Sequence, residues 1–209
     1  MARQNRYILG FGSGKLSLVT QSPVMNVAAD LKCATKRVLI VFLTGVSTVM
    51  SASSFELKAA STSWFVINDP VMGGVSSSTA KVVGSVLEFS GRVRLDNNGG
   101  FASVRSTTGR YNLESATGLT LRVRGDGKRY GLQIGSSGAR GVLYRAEFDT
   151  SANQWLEVKL PFSAFKPTRF GQVLSGYPLE RSQIEHFGFI IANKRAETFK
   201  LELEWIRAR

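Results

Sequence analysis

The chain has 209 residues, a formal net charge of +12 at pH 7 and 43% hydrophobic residues, enough for one domain with a substantial core and an extension. Its single cysteine, Cys33, excludes a disulfide within the chain, and its single histidine, His186, leaves few groups for acid-base or metal chemistry. The 21 glycines and 13 phenylalanines favour many short strands joined by turns, and therefore an all-β sandwich.

The front of the chain has the layout of a secretory signal. Residues 38–50 are an apolar run preceded by Lys36-Arg37 and followed by the small residues 51–54. This run is short compared with the roughly 20 residues of a membrane-spanning helix. We predict a targeting segment at residues 1–53, with a basic stretch at 1–37 and cleavage near 51–54. The protein would then be exported across a membrane, into the periplasm if it is bacterial.

Residues 1–37 are long for the basic part of a signal, which leaves two explanations open. Met25 is the true start, or the basic stretch is part of a bipartite presequence for a mitochondrion or plastid. A third possibility is that the apolar run is an uncleaved anchor, lengthened by the small residues that flank it. Each of these would bring the protein close to a membrane.

Two glycine-rich segments predict tight turns. Gly73-Gly74 and residues 97–100, Asn-Asn-Gly-Gly, allow positive φ angles without a Cβ penalty, so strands should flank both segments. We predict a linker at residues 54–63 and a β-sandwich domain at residues 64–207.

Alternating hydrophobicity predicts several of the strands. In 119–124 and 144–148, every second residue is apolar, so each strand should have one core face and one polar face. The terminal strand should place Phe199, Leu201, Leu203 and Trp205 on one face. Residues 184–192 are apolar at almost every position, which predicts a central strand. No helix-length amphipathic segment and no internal repeat are visible in the sequence.

An ordered set of motifs resembles a known family. The motifs are Asp69-Pro-Val-Met-Gly-Gly-Val-Ser76, Phe89-Ser-Gly91, Asn97-Asn-Gly-Gly-Phe-Ala-Ser-Val-Arg105, Val123-Arg-Gly-Asp-Gly127, Leu160-Pro-Phe-Ser-Ala-Phe165, Phe187-Gly-Phe189 and Leu201-Glu-Leu-Glu-Trp-Ile206. In this order they resemble the complex I intermediate-associated protein 30 family over about residues 64–206. The resemblance implies a galactose-binding-like jelly-roll β-sandwich. It also implies a non-enzymatic assembly factor, or chaperone, for respiratory complex I or another membrane protein complex.

The residues do not favour catalysis. His186 lies in an apolar strand with no serine motif or second metal ligand beside it, so we interpret it as structural. A catalytic role would need a Ser or carboxylate within hydrogen-bond reach of it in a cleft. Asp69, Asp96 and Asp126 adjoin Gly, Pro or Asn and are interpreted first as turn formers. We therefore predict no catalytic residue, no cofactor and no metal site.

Polar side chains on strands or at turn mouths are the candidates for a binding surface, because Arg in particular suits carboxylates, phosphates and sugar hydroxyls. Cross-strand ion pairs with Glu147 and Glu157 are an equally good interpretation of the arginines. Trp64, Trp155 and Trp205 are interpreted as core rather than as sugar-stacking platforms. The candidates are Asp69, Asn97, Asn98, Arg105, Arg122, Arg124, Asp126 and Arg145.

The expected partner is a protein, and a carbohydrate is the alternative, for which an aromatic platform should stand beside the polar groups. The first 51 residues hold six Lys or Arg and one Asp, so residues 52–209 keep 21 basic against 14 acidic side chains. Such a surface favours acidic partners in general, although a solvated basic surface explains it as well. Nucleic acid is not expected, because no recognisable binding module accompanies the charge.

Overall fold

The computed structural model describes residues 55–69 and 73–209; the predicted targeting segment, residues 1–53, lies outside these ranges. No helix in the described ranges is long and apolar enough to cross a membrane. The helical segments are short 3-10 turns at Ala59–Ser61, Asp96–Asn98, Ser137–Ala139, Phe162–Ala164 and Arg181–Gln183. The strands are β1 Glu56–Lys58, β2 Trp64–Asn68, β3 Ser77–Val83, β4 Val86–Val93, β5 Ala102–Ser106, β6 Gly118–Arg124, β7 Arg129–Ser136, β8 Leu143–Asp149, β9 Trp155–Pro161, β10 Lys166–Arg169, β11 Gln172–Val173, β12 Ile184–Ile191 and β13 Glu197–Ala208.

The strands form two antiparallel sheets. The six-stranded sheet has the order β3-β4-β13-β6-β9, with β1 also paired to β13. The seven-stranded sheet has the order β11-β10-β8-β7-β12-β5-β2. One apolar core holds side chains from both sheets, among them Phe89 and Leu121 from the first and Tyr130, Phe187 and Phe189 from the second. The predicted all-β sandwich is therefore confirmed.

The alternating strands follow the predicted pattern because each sheet has one covered and one solvated face. In β6, Leu119, Leu121 and Val123 are fully buried, while the residues between them are partly exposed. β8 buries Tyr144, Ala146 and Phe148 in the same way. β12 lies between β7 and β5, so the prediction of a central strand is confirmed as well.

The end of β13 differs from the prediction. The pairing of β13 with β6 shifts between Leu203 and Trp205, which is a β-bulge. A bulge adds one residue to a strand and so exchanges the two faces beyond it. Ile206 therefore occupies the inner position, where it is fully buried, and Trp205 pairs with Arg122 on the outer face. Trp205 is buried, at 7% exposure, but the prediction that it shares the core face of Phe199, Leu201 and Leu203 was wrong.

The described part of the predicted linker, residues 55–63, also differs from the prediction. It contains β1, which pairs with β13 through Leu57 and Ile206, and Leu57 is buried. The indole N–H of Trp64 donates to the carbonyl of Ala59 at 2.9 Å, which holds the following turn against the sandwich. These residues therefore belong to the folded domain, because their apolar side chains have a place in the core.

Both predicted glycine turns are present. Gly73 has a φ of 90° between β2 and β3, and Asn97 and Gly100 have φ angles of 55° and 126° between β4 and β5. These left-handed angles favour glycine and asparagine.

Candidate functional site

The outer face of the seven-stranded sheet carries a row of aligned polar side chains. Gln133 on β7 pairs with Arg145 on β8 and with Gly188 on β12, and Gly188 pairs with Arg105 on β5. Directly paired residues lie on the same face of a sheet. The row extends to Lys166 beyond Arg145 and to Phe65 beyond Arg105.

His186 lies on the same face as this row. Its pairing with Gly135 continues the register of Gly188 with Gln133, and the pairing shifts only between Ile184 and His186, where Glu185 is the extra residue. The imidazole then lies against Gly135, where a Cβ atom would fall within the ring. Gly135 is therefore the residue that makes room for His186. We call Arg105, Gln133, Arg145 and His186 together the arginine face.

The imidazole of His186 is held in its neutral form. Its Nε2 atom is buried and has no hydrogen-bond partner among the described residues. Burial lowers the pKa of His186 to about 4, with a smaller contribution from the charge of Arg105. The ring is therefore uncharged at physiological pH.

Arg145 is also incompletely paired. Its Nη2 donates to Oε1 of Glu147 at 2.9 Å, but its Nε is buried without a partner in the described part of the chain. The Arg145 side chain lies over Gly131, where a Cβ atom would come within 2.7 Å of Nε. As at Gly135, the absence of a side chain lets a polar group lie flat on the sheet.

Arg105 sits between these groups and the edge of the sheet. Among residues 55–69 and 73–209 no carboxylate forms an ion pair with it. Burial lowers the pKa of the Arg105 guanidinium. Arg105 therefore carries a half-buried charge whose hydrogen-bonding capacity is open to a ligand.

A depression of ≈ 310 Å³ adjoins the arginine face, lined by Arg129, Arg145, Glu147, Ala192, Asn193 and Lys194. Oδ1 of Asn193 is buried there without a partner. All the buried, unpartnered side-chain atoms of the described residues thus belong to Arg145, His186 and Asn193, on this face or its rim. Unpaired buried polar groups are uncommon and costly, so their concentration makes this face the candidate binding site.

The groups of the arginine face suit recognition of a ligand by hydrogen bonds. They are two guanidiniums, an amide and a neutral imidazole, and together they offer hydrogen-bond donors to an acceptor-rich or acidic ligand. The Nε2 of His186 has neither a Ser nor a carboxylate as a partner within the described residues. Among those same residues, no group of three or more His, Cys, Asp and Glu side chains is placed to hold a metal ion.

The predicted candidates do not form one surface. Arg105 and Arg145 share the arginine face, but Arg122 and Arg124 lie on the outer face of the opposite sheet. There Arg124 pairs with Glu202, and Arg122 donates from Nε to Glu204 at 2.6 Å and lies 3.7 Å from Glu157. The alternative interpretation of cross-strand ion pairs therefore describes Arg122 and Arg124.

The tryptophans divide in the same way. Trp64 packs against the core near Phe189. Trp155 instead lies on the outer face of the six-stranded sheet, with the guanidiniums of Arg122 and Arg124 at 5.5 and 5.0 Å from its ring. The interpretation of Trp155 as a core residue was wrong, because it pairs with Arg124 on the solvated face.

Asp69 organises the two glycine turns. It accepts hydrogen bonds from the backbone and hydroxyl of Ser76 at 2.8 and 2.6 Å, and from the backbone N–H of Gly100 at 2.7 Å. Burial by itself raises the pKa of this carboxyl, but these hydrogen bonds outweigh it and leave the pKa below its ordinary value. A Cβ at Gly74 or Gly99 would collide with the carboxylate. The arrangement fits the interpretation of Asp69 as a turn former.

The remaining candidates lie away from the arginine face. Asp126 accepts from the hydroxyl of Tyr130 at 2.9 Å and from the backbone of Lys200 at 3.0 Å, and so ties two strands together. Asn97 is exposed in its turn, and the side chain of Asn98 is not among those described.

Sequence reasoning missed Gln133, Lys166 and Phe65, and it assigned His186 to structure alone. The available signal was the placement of Gly131, Gly135 and Gly188 within apolar strands, because a glycine inside a strand often marks a close approach by another group.

The fold is similar to several solved structures. The family 11 carbohydrate-binding module of the cellulosomal cellulase Lic26A-Cel5E of Clostridium thermocellum matches with a TM-score of 0.57 and 17% identity, covering 76% of this chain and 95% of the module. PfGH50B matches at 0.50 and 13%, covering 72% of this chain and 22% of that protein. The agarase AgWH50C matches at 0.50 and 11%, covering 74% and 24%. At these identities the likeness concerns the fold alone, and it confirms the predicted jelly-roll sandwich.

No curated protein sequence matches the chain. Residues 53–203 match the family described as complex I intermediate-associated protein 30 (CIA30). The match covers most of the chain and nearly all of the described sandwich. The protein therefore belongs to the complex I intermediate-associated protein 30 family.

Proposed function

We propose that this protein is a non-enzymatic binding module that acts as an assembly factor for a membrane protein complex, respiratory complex I or another of that kind. Family membership supports the class of partner. The observation that carries the proposal is the concentration of unpaired polar atoms on the arginine face and its rim. A partner that supplies an acceptor for Nε of Arg145 and a donor for Oδ1 of Asn193 relieves a cost of roughly 1–3 kcal/mol for each unsatisfied group.

The composition of this face fits a protein partner. Arg105 and Arg145 are of the residue type that is enriched in the energetic centres of interfaces, and Phe65 at the end of the row is 55% exposed. An interface here would combine a few strong polar contacts with an aromatic rim.

Affinity capture tests the proposal. The tagged protein is recovered from mildly solubilised native membranes, and its partners are identified by mass spectrometry. We expect subunits of one membrane complex with the wild type, and a loss of more than about tenfold in their recovery with Arg105→Gln. Arg122→Gln, on the opposite sheet, is the matched control and should recover the same subunits. Wild-type capture without any membrane-complex subunit would contradict the proposal.

A carbohydrate ligand is the second candidate. Phe65 is exposed beside Arg105, so one aromatic ring does stand next to polar groups on the face. Calorimetric titration with soluble neutral polysaccharides tests it. Binding that is lost in Phe65→Ala would favour the carbohydrate function, and no binding would leave the protein partner as the function.

We also propose that the protein is exported across a membrane, on the basis of residues 38–50; import into a mitochondrion or plastid is the alternative. Mass spectrometry of the native N-terminus tests the cleavage. An N-terminus within residues 51–55 is expected, and an intact Met1 or Met25 would contradict a cleaved signal.

A further inference from the structure

The hairpin of β10 and β11 presents an aromatic side chain at its tip. Thr168 pairs with Val173 and Arg169 with Gln172, which leaves Phe170 and Gly171 as a two-residue turn. Their φ angles are 49° and 80°, the positive values of a type I′ turn. The side chain of Phe170 is 84% exposed, and Val173 nearby is 65% exposed.

Neither the turn nor the core accounts for Phe170. A type I′ turn favours Asn, Asp or Gly at its first central position, and an aromatic residue in the left-handed region is unusual. Within the described residues Phe170 belongs to neither the core nor the group of apolar side chains packed against it. The exposed ring does not contribute to the apolar core. Contact with another molecule is therefore the remaining explanation for an aromatic side chain at this position.

The surroundings of the tip are basic. The segments 137–144 and 163–179 contain Arg140, Lys166 and Arg169 and no Asp or Glu. The guanidinium of Arg169 donates to the carbonyls of Gly141 and Arg140, at 3.3 Å each, and so joins the hairpin to the loop before β8. The positive charges are therefore gathered around the base of the aromatic tip.

We propose that this hairpin tip docks on an anionic phospholipid surface, with the ring of Phe170 in the headgroup region and the neighbouring cations against lipid phosphates. A protruding two-residue turn fits a soft, flat interface. Aromatic rings favour the membrane–water boundary, and Lys and Arg are attracted to anionic leaflets. This contact is separate from the arginine face and goes beyond the proposed function.

An environment-sensitive fluorophore at the tip tests the proposal in the full chain. Cys33→Ser with Phe170→Cys allows an NBD label at position 170, and Cys33→Ser with Phe65→Cys places the same label at the other exposed phenylalanine as a control. The vesicles are phosphatidylcholine alone, or phosphatidylcholine with phosphatidylglycerol at about 3:1. A local label reports the tip even where another segment of the chain also binds the vesicles.

We expect a blue shift and a rise in emission at position 170 with anionic vesicles only, and quenching by brominated lipid. Replacing Arg140 and Lys166 by Gln should raise the lipid concentration at half-maximal response about tenfold or more, since each cation near the surface contributes. An unchanged spectrum at 170, an equal response at 65, or an equal response to neutral vesicles would overturn the proposal.

Phe170→Asn separates docking from folding. Asparagine tolerates the left-handed conformation, so the melting temperature of this variant should stay the same or rise. A marked fall in melting temperature would give Phe170 a structural role and overturn the argument that its exposure serves docking.

Discussion

The imidazole of His186 lies so closely over the backbone of Gly135 that a Cβ atom at position 135 would fall within the ring. The contact joins β7 and β12 on the outer face of the sheet, where the two residues are paired. A side chain on β12 is thus positioned by the absence of one on β7.

Gly135→Ala should displace the ring and lower the free energy of unfolding by about 1–3 kcal/mol, the usual cost of overpacking. Urea unfolding measures the change. In a His186→Ala background the same substitution should cost much less, because the clash is gone. Equal costs in both backgrounds would show that the contact does not constrain the sheet.

His186 should titrate with a midpoint near pH 4 in NMR spectra, where the only histidine of the sequence gives an isolated signal. Since Arg105 contributes to the lowered pKa, Arg105→Gln should move the midpoint upward. A wild-type midpoint near 6.5, or one that does not move in Arg105→Gln, would contradict the burial and the proximity described.

The lowered pKa of His186 predicts that the free energy of unfolding depends on pH. The folded pKa lies below the unfolded value of about 6.5, so the unfolded chain binds more protons between pH 4 and 6.5. The contribution of His186 to stability is therefore full above about pH 6.5. It falls by about 2–3 kcal/mol as the pH is lowered toward 4. Chemical unfolding of the wild type and His186→Gln at several pH values measures it, and parallel curves would contradict it.

Asp69→Asn should lower the free energy of unfolding by about 2–3 kcal/mol at neutral pH, because an amide cannot accept all the donors that meet the carboxylate. The folded pKa of Asp69 lies below its ordinary value, so this stabilisation exists above about pH 4 and is lost as the pH falls further. The difference between wild type and variant should shrink in acid. A difference that stays constant down to pH 2 would show that the charge of Asp69 is not the cause.

The bulge in β13 predicts opposite tolerances at adjacent positions. Ile206→Gln places an amide in the core and should cost more than about 4 kcal/mol. Trp205 is also buried, but its ring lies beneath Arg207 on the outer face rather than in the core cluster, so Trp205→Gln should cost less. Thermal unfolding of the two variants compares them. A larger loss with Trp205→Gln would restore the face assignment that simple alternation predicts.

Much of the sandwich could be predicted from local patterns. The alternation in residues 119–124 gives β6, and the glycine turns at 73–74 and 97–100 bracket their strands, because faces and turns are set by neighbouring residues. The β-bulges at Glu185 and near Glu204 could not be predicted from local patterns, because an extra residue is recognised only when the strand is compared with its partner strand. Trp205 was placed on the wrong face of β13 for this reason.

The arginine face was harder to predict because it depends on strand order. Arg105 and Arg145 come 40 residues apart in the sequence and share one face only because β5 and β8 belong to the same sheet, with β12 and β7 between them. Arg122 and Arg124 look the same in sequence but belong to the other sheet, where glutamates pair with them. Only the pairing of strands separates the arginines that have partners from Arg105.

Site-specific photo-crosslinking tests most directly the claim that the arginine face binds the partner. Benzoylphenylalanine replaces Phe65 at the end of the row, or Glu157 on the outer face of the opposite sheet, and native membranes expressing each variant are irradiated. We predict a crosslink from position 65 to a subunit of a membrane complex and none to that subunit from position 157. Equal crosslinking from both positions, or crosslinking from 157 alone, would contradict the account.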